Sequence, residues 1–457
     1  MTWQNYLDKQ QPKFIEDLLE FVRIPSVSAN KEHFNDVLRA GSWVVSRLQQ
    51  AGISNSHLME TETHPVVYGD WMQAGSDKPT VLIYGHFDVQ PAEPFDLWES
   101  PPFEPIVVNE KLIGRGASDD KGGMLIPILA AEALLATEGK LPVNLKFFFE
   151  GQEEIGSPTL QAFILQNSDL LKADMIFSAD GGQWSEDQPA MITSLKGLVG
   201  LEIKVSGASS DLHSGIHGGG IANPIHALSH IIASMKDVNG DITVAGFYED
   251  VEELSVHDRQ NISKVPFEEQ AYIKELGAPD VFGEAGFTTL ERLWARPTLE
   301  LNGIWGGYQG EGTKTVLPAN ANAKITCRLV ANQEPEKIYL LLKKHIQENT
   351  PCGVSTDVRR LPGSAEPFSV PSGHNASQIA AEVLSEVYGK TPFMTKTGGS
   401  IPVMSMLLNE LGVHATVFAF GLNDENIHAP NEFFRLSSFR RGQEAYCKLL
   451  KKLGGNV

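Results

Sequence analysis

Apolar residues recur along the chain at helical and at strand-like spacings, and these spacings predict its secondary structure. Over residues 3–22 the apolar side chains fall on one helical face, and the run ends at Ile24-Pro25, where proline disfavours further helix. Helical spacing also predicts helices at residues 34–50, 121–136, 222–236, 335–347, 375–388, 401–411 and 436–453. Nearly continuous apolar runs predict buried strands at residues 81–84, 145–149, 175–177 and 415–420. This alternation predicts an α/β fold whose sheet is covered on both faces.

The pattern changes in the middle of the chain. Residues 199–206 and 323–329 alternate apolar and polar positions, which is typical of half-buried antiparallel strands. The helix-strand alternation returns in the last quarter of the chain. We therefore predict a discontinuous α/β domain formed by residues 1–196 and 371–457, interrupted by an inserted α+β domain at residues 197–370.

Length, charge and cysteine content narrow the class of protein. A chain of 457 residues is long for one hydrophobic core, which also favours two domains. The formal net charge of −20 argues against a nucleic-acid backbone or an anionic membrane as partner, and it suits the binding of metal cations. Only three cysteines occur, without a CxxC pair, which favours a reducing compartment and excludes a thiolate zinc site. With no signal peptide and no apolar run of about 20 residues, the sequence predicts a cytoplasmic protein.

Carboxylates and histidines follow the ends of the predicted strands. They are His86 and Asp88 after strand 81–84, Asp119 after a predicted hairpin at 106–113, Glu153 and Glu154 after strand 145–149, Asp180 after strand 175–177, and His428 after strand 415–420. A single acid of this kind is usually a helix cap or a solvated loop residue. Because ligands of open α/β sheets gather at the carboxyl ends of the strands, the repetition at five strand ends favours one shared site.

The chemistry of this set suits a metal centre. Without cysteine, histidine and carboxylate ligands suit Zn²⁺, Mn²⁺ or Co²⁺. A pair of metal ions needs a bridging carboxylate and a separation of about 3.5–4 Å, which activates one water between the ions. The adjacent Glu153 and Glu154 can then divide the work, one binding metal and the other accepting a proton from the water.

The motifs around these residues resemble those of a known family. GHFDVQP, GRGASDDKG, EGQEEIGS, SADGG and IHAPNE occur in the order found in the di-zinc metallopeptidases that include carnosinase-type dipeptidases, aminoacylase, acetylornithine deacetylase and succinyl-diaminopimelate desuccinylase. The resemblance implies a phosphorylase/hydrolase-like catalytic domain with a mixed sheet covered by helices. It also implies an inserted lid and dimerisation domain.

The resemblance implies a role for each polar residue of the predicted site. The implied metal ligands are His86 and Asp180 on one ion, Glu154 and His428 on the other, and Asp119 on both. Glu153 is implied to be the general base, and Asp88 the carboxylate that orients His86. The peptide bond between Asp119 and Asp120 is implied to be cis.

The carnosinase-like dipeptidases are the nearest fit within the family, because their large lid matches the predicted insertion in length. In DLHSG, His213 is implied to reach the active site of the partner subunit and to stabilise the oxyanion there. Thr315 and Arg328 are implied to contact the substrate and its C-terminal carboxylate. Gly399 and Ser400 are implied to lie in a loop that contacts the substrate.

The resemblance implies a homodimeric dipeptidase with two divalent ions per chain, either Zn²⁺ or Mn²⁺, with Co²⁺ also compatible. An N-acyl amino acid deacylase or desuccinylase would use the same metal site with a different lid pocket. Thr397 stands where the dipeptidases often carry glutamate, which leaves recognition of the substrate's amino end open. A peptide-binding protein on an inactive hydrolase fold would have lost a ligand or the base, and this sequence retains all of them.

Overall fold

The structure is a computed structural model that describes residues 1–399 and 401–455. Its α-helices are α1 (Trp3–Val22), α2 (Phe34–Gln50), α3 (Gly123–Glu138), α4 (Leu160–Gln166), α5 (Ser168–Leu171), α6 (Ser214–His217), α7 (Pro224–Ala233), α8 (Val256–Ser263), α9 (Glu269–Leu276), α10 (Thr289–Ala295), α11 (Pro335–Glu348), α12 (Asn375–Tyr388), α13 (Pro402–Leu411) and α14 (Leu436–Leu453). Its strands are β1 (Asn55–Met59), β2 (Val66–Trp71), β3 (Thr80–His86), β4 (Ile106–Val108), β5 (Lys111–Ile113), β6 (Asn144–Glu150), β7 (Met175–Ser178), β8 (Gly182–Gln183), β9 (Ala190–Leu195), β10 (Gly197–Ser206), β11 (Leu212–His213), β12 (Thr298–Gly306), β13 (Val316–Leu317), β14 (Asn320–Leu329), β15 (Ser355–Arg360), β16 (Phe368–Ser369), β17 (Phe393–Thr397), β18 (Ala415–Val417), β19 (Gly421–Leu422) and β20 (Phe433–Arg435).

The chain forms two compact units. The first comprises Met1–Thr193, Val370–Met394 and Met406–Val457, and the second comprises Ser194–Ser369 and Thr395–Ser405. The second unit thus includes Thr395–Ser405, a segment that lies within residues 371–457 and is predicted from the sequence to belong to the discontinuous α/β domain. Among the described residues, no helix is both long enough and apolar enough to cross a membrane.

The first unit is built on a six-stranded mixed sheet with the order β1-β2-β6-β3-β7-β18. The strands β6, β3, β7 and β18 run parallel, whereas β1 and β2 are antiparallel additions at one edge. Every residue of β6 is buried, as is every residue of β3 after Thr80, so both faces of the sheet are covered. This agrees with the mixed, helix-covered sheet expected from the resemblance and explains why these strands are nearly continuous apolar runs.

Helices of the first unit match their predicted bounds closely, and the differences have local causes. The predicted helix at residues 121–136 begins at Gly123, because Ala117–Gly122 forms a wide turn in which Asp119 has non-helical backbone angles. The predicted strand at residues 415–420 ends at Val417, because its neighbour β7 ends at Ser178 and offers no further partner.

The second unit contains a four-stranded antiparallel sheet with the order β12-β14-β10-β15. Helices α7 and α11 pack on it and contribute to a separate core around Ile203, Ile325 and Leu342. The strands β10 and β14 correspond to the strands predicted at residues 199–206 and 323–329, but β12 was not predicted. It lies at the sheet edge with most of its side chains exposed, so it lacks the apolar alternation by which a half-buried strand is recognised.

Candidate metal centre

Three neighbouring parallel strands bring the predicted polar residues to one edge of the first unit's sheet. His86 is the last residue of β3, and β6 leads through Gly151 into a 3₁₀ turn at Glu153–Ile155. Asp180 follows β7 by two residues. Since β3 lies between β6 and β7 and runs parallel to both, the three strands deliver these side chains to the same end of the sheet.

Asp119 connects the two histidines. Its Oδ1 lies 3.0 Å from Nε2 of His86, and its Oδ2 lies 2.9 Å from Nε2 of His428. The same His428 nitrogen is 3.2 Å from Oε2 of Glu154, which also accepts a hydrogen bond of 2.7 Å from the Gln90 amide. The carboxylate of Asp119 therefore contacts two imidazoles, one through each of its oxygens.

These residues fall into two groups that share one acid. Potential ligand atoms lie within 4.8 Å of one another in the group His86, Asp119 and Asp180, and likewise in the group Asp119, Glu154 and His428. Glu153 belongs to neither group, although it neighbours Glu154 in the same 3₁₀ turn. The arrangement has the ligand types and the shared carboxylate that a two-metal site requires.

The electrostatics of the cluster favour bound cations. Burial, reinforced by the negative charges of Asp119 and Glu154, raises the pKa of Asp180 to about 7. Burial likewise raises the pKa of Glu153 well above its ordinary value, with the nearby carboxylates adding to the effect. Ionising all of these acids together therefore calls for compensating positive charge. Divalent cations supply that charge, so the donor set fits two of them.

Asp88 holds the turn that carries Glu153 and Glu154. The Asp88 carboxylate accepts hydrogen bonds of 3.1 Å from the backbone N–H of Glu153 and of Glu154. Nδ1 of His86 lies 3.1 Å from the Asp88 carbonyl oxygen and 3.5 Å from the carboxylate. The main-chain carbonyl thus makes the shorter contact to the imidazole, while the carboxylate holds the turn that carries Glu153 and Glu154.

The Asp119–Asp120 peptide bond is cis, as the resemblance implied. Oδ2 of Asp120 accepts a hydrogen bond of 3.2 Å from the backbone N–H of His86. A Cβ atom at Gly85 would lie 2.8 Å from this oxygen, and one at Gly123 would lie 2.1 Å from the other. The two glycines therefore make room for the side chain that ties the Asp119 turn to the end of β3.

Glu432 is an organising residue that sequence reasoning did not single out. Its fully buried carboxylate accepts hydrogen bonds from Arg115 Nη1 (2.6 Å) and from the backbone N–H groups of Gly116, Ser118 and Asp119 (2.8, 3.0 and 3.1 Å). It therefore holds the turn on which Asp119 is placed. The available signal was its position four residues after His428 in the same motif, combined with an arginine in the GRG segment.

Replacing Glu432 by alanine is expected to lower the free energy of unfolding by about 3–5 kcal/mol, because Arg115 is 1% exposed and would become an uncompensated buried charge. Chemical denaturation followed by circular dichroism measures the change. The matched control is the exposed Glu104, whose replacement by alanine should change stability by less than about 0.5 kcal/mol. Equal changes in the free energy of unfolding for the two substitutions would contradict the stabilising role of Glu432.

The remaining predicted residues lie in the second unit. His213 is exposed and pairs with Val316 across β11 and β13, and the Thr315 carbonyl accepts a hydrogen bond of 3.0 Å from Ser214 N, so His213 and Thr315 lie close together. Arg328 lies half-buried on β14, and the Gly399 carbonyl accepts a hydrogen bond of 3.1 Å from Lys196 N. Ser400 lies outside the described residues.

Known peptidases are similar to this chain along nearly its whole length. A Cys-Gly metallodipeptidase of Schizosaccharomyces pombe is 32% identical over 98% of this chain and 97% of its own length. A Beta-Ala-His dipeptidase of Homo sapiens is 28% identical over 97% of this chain and 90% of its own length. The crystal structure of an M20 family metallo-carboxypeptidase from Sulfolobus solfataricus matches with a TM-score of 0.83 and 32% identity, over 96% of this chain and 99% of that one.

Two histidine-carboxylate groups with a shared acid, placed at the carboxyl edge of this sheet, define the class as a metal-dependent hydrolase. The chain belongs to peptidase family M20/M25/M40, whose sequence profile matches residues 82–452. This confirms the resemblance drawn from the motifs. The profile match over residues 82–452 and the similarity to a metallodipeptidase over 98% of the chain together establish the chain as a peptidase of this family.

Proposed function

We propose that the chain is a metallodipeptidase that binds two divalent ions and hydrolyses the peptide bond of dipeptides. The observation that carries the proposal is the pair of ligand groups joined by Asp119, with Glu153 beside them and in neither group. The two curated relatives described above, which this chain matches along almost its whole length, are both dipeptidases.

His86, Asp119 and Asp180 would hold one ion, and Asp119, Glu154 and His428 would hold the other. Ions bound there would supply Lewis-acid chemistry, polarising the substrate carbonyl and acidifying the attacking water. Nitrogen and oxygen donors without thiolate suit Zn²⁺ or Mn²⁺, and they also accept Co²⁺.

The residues of this chain then have distinct tasks. Glu153 takes a proton from the attacking water and passes it to the leaving amine, so one carboxylate acts first as base and then as acid. Asp88 holds the turn that carries Glu153 in place through two backbone hydrogen bonds. His213 stabilises the oxyanion of the tetrahedral intermediate. Arg328 binds the C-terminal carboxylate of the substrate.

Thr315, Gly399 and Ser400 complete the substrate contacts in this proposal.

The three cysteines, Cys327, Cys352 and Cys447, are free thiols, which supports our proposal that the enzyme is cytoplasmic.

A substrate panel tests the proposal. The metal-loaded enzyme is incubated with dipeptides, tripeptides, and N-acetyl and N-succinyl amino acids, and the products are separated by chromatography. A dipeptidase cleaves dipeptides with kcat/KM well above that of the other substrates. Preference for the acyl amino acids would instead establish a deacylase or desuccinylase.

A metallo-carboxypeptidase is the second candidate, favoured by the likeness to the Sulfolobus solfataricus enzyme at 32% identity. Thr397 agrees with it, since its neutral hydroxyl accepts a hydrogen bond of 3.2 Å from Gly399 N and offers no charge to a substrate ammonium group. A carboxypeptidase would release the C-terminal residue from tripeptides and from amino-blocked peptides as readily as from dipeptides. The tripeptides in the panel described above separate the two activities.

We propose further that the enzyme is a homodimer formed through the second unit. In the described part of the chain the edge strand β12 has β14 as its only strand partner, and it exposes Leu301 (45%), Ile304 (60%) and Trp305 (38%). Exposed apolar edge strands invite pairing with another chain, and a second copy would cover both the edge and these side chains. Light scattering should give a dimer mass for the native chain and a monomer mass for an Ile304→Lys variant.

Subunit mixing tests whether His213 acts in the partner's site. Glu153→Ala and His213→Ala homodimers should each lose at least about 100-fold in kcat. After subunit exchange, each mixed dimer contains one complete site, so about one quarter of native activity should return. If His213 serves its own subunit, no mixture regains activity.

A further inference from the structure

His428 lies on an exposed loop between β19 and β20 whose backbone departs from ordinary angles. Its side chain is 51% exposed, although its Nε2 contacts both Asp119 and Glu154. Asn426, His428 and Asn431 have φ angles of 54°, 61° and 61°, in the left-handed region that residues other than glycine rarely adopt. Such angles persist only where surrounding contacts fix them. The contacts that fix this loop therefore decide where His428 is placed.

Two buried acids lie near the ends of this loop. Glu425 precedes His428 by three residues and Glu432 follows it by four, and both are fully buried. The Glu425 carboxylate accepts hydrogen bonds from the backbone N–H of Leu422 (2.9 Å) and of Arg435 (3.2 Å). These are the last residues of β19 and of β20. Glu425 therefore closes the loop across its base.

Ser118 connects both acids to the turn that carries the shared ligand. Its hydroxyl donates to Glu425 Oε2 (2.6 Å), and its backbone N–H donates to Glu432 Oε1 (3.0 Å). Ser118 is buried and directly precedes Asp119 in the chain. A Cβ atom at Gly421 would lie 3.1 Å from the Ser118 hydroxyl oxygen, so the base of the loop approaches this hydroxyl closely. One buried serine thus links the loop, through an acid near each of its ends, to the backbone beside Asp119.

We propose that Ser118 is a positioning residue for the ion held by the ligand group that contains His428. Its hydroxyl fixes the base of the loop through Glu425, and the loop then presents the imidazole to Asp119. The two-ion site of the proposed function is the basis of this role, and Ser118 itself lies outside both ligand groups. Groups that support a ligand in this way typically contribute about 10- to 100-fold to metal affinity.

The effect of the Ser118 hydroxyl should be confined to one ion. Asp119 keeps another support when the hydroxyl is lost, because its own backbone N–H donates to Glu432 (3.1 Å). His86 is the last residue of β3 and Asp180 follows β7, and both strands lie inside the first unit's sheet. The group of His86, Asp119 and Asp180 is therefore held by contacts other than this hydroxyl.

Metal titration of three variants tests the proposal: Ser118→Ala, Glu425→Gln and the double variant. Each protein is freed of metal by chelation and titrated in a calorimeter with Zn²⁺ alone and with Mn²⁺ alone. His428→Ala identifies the ion of the His428 group, and Asp180→Ala identifies the other. Ser118→Ala removes a single hydroxyl, whereas Glu425→Gln also removes the charge that faces Arg435 (3.1 Å). Ser118→Ala therefore decides the outcome if Glu425→Gln does not fold.

Ser56→Ala is the matched control. Ser56 is also a buried serine of the first unit, and its hydroxyl donates to the Ile53 carbonyl oxygen (3.0 Å). It lies on β1 and belongs to neither ligand group. Its replacement measures what the loss of a buried serine hydroxyl costs without a link to the His428 loop. Thermal unfolding followed by circular dichroism shows whether each variant is folded.

Ser118→Ala and Glu425→Gln should each weaken the ion of the His428 group at least about tenfold and the other ion less than about threefold. Because both substitutions break the same hydrogen bond, the double variant should bind no more weakly than the weaker single variant. The proposal is overturned if Ser118→Ala binds both ions as Ser56→Ala does, or if it weakens both ions by the same factor. A native enzyme that binds fewer than two ions would overturn the two-ion site itself, and the role of Ser118 with it.

Discussion

Replacing Glu153 by alanine is expected to lower kcat by about 100- to 10,000-fold while both metal ions remain bound. The two acids of one 3₁₀ turn have different roles, because Glu154 belongs to a ligand group whereas Glu153 belongs to neither group. Removing the proton acceptor leaves the ligands and the shared acid intact. Elemental analysis of the purified variant and steady-state kinetics on a dipeptide measure the two quantities independently.

The exposed Glu99 provides a matched control on the same unit, because Glu99→Ala removes an equal negative charge from a residue that belongs to neither ligand group. It should retain native kcat and native metal content. A Glu153→Ala enzyme with near-native kcat would rule out this residue as the base. A variant that loses activity together with its metal would show that Glu153 is a ligand instead.

Replacing Asp119 by alanine is expected to reduce the metal content from two ions per chain to fewer than one and to abolish hydrolysis. Asp119 is the acid common to both ligand groups and contacts both His86 and His428. Loss of a residue that merely supports a ligand typically costs about 10- to 100-fold in metal affinity, and loss of a shared ligand should exceed that at both positions. Titration with Zn²⁺ and with Mn²⁺, followed by calorimetry, measures both affinities.

Two comparisons calibrate this result. Asp96→Asn, on an exposed 3₁₀ turn, should leave both affinities unchanged. Asp180→Ala removes a residue from one group only, so it should weaken one ion and spare the other. Retention of two tightly bound ions by Asp119→Ala would contradict the shared-ligand assignment.

Much of the fold was predictable because the central strands of the first unit's six-stranded sheet are buried on both faces. Because β3 and β6 are buried on both faces, their sequences are nearly continuous apolar runs. These strands are adjacent in the sheet, so the polar residues that follow them lie at the same end of it. Helix bounds were predictable where amphipathic spacing ends at proline or glycine, as at Pro25 after α1. The meeting of His86, Glu154 and Asp180 was predictable once a parallel sheet was assumed, whereas Asp119 follows a hairpin outside that sheet.

Other features escaped prediction because they depend on the backbone or on distant partners. The Asp88 carboxylate caps a turn more than sixty residues away in sequence, and no local spacing reveals that contact. Glu432 satisfies backbone N–H groups of the Asp119 turn, a role that any buried acid could fill. The edge strand β12 carries exposed apolar residues and lacks an alternation of apolar and polar positions, because most of its side chains are not buried against another element.

The Asp119 turn also has a consequence for synthesis of the protein. Asp119 emerges from the ribosome 309 residues before His428 and 313 before Glu432, the two side chains that contact it from the other end of the domain. At a synthesis rate of about 5–20 residues per second, roughly 15–60 s pass between the synthesis of Asp119 and that of His428 and Glu432. During that interval the nascent chain presents His86 and its neighbouring acids without the second histidine. The complete pair of ligand groups can therefore form only after residues 428–432 have been synthesised.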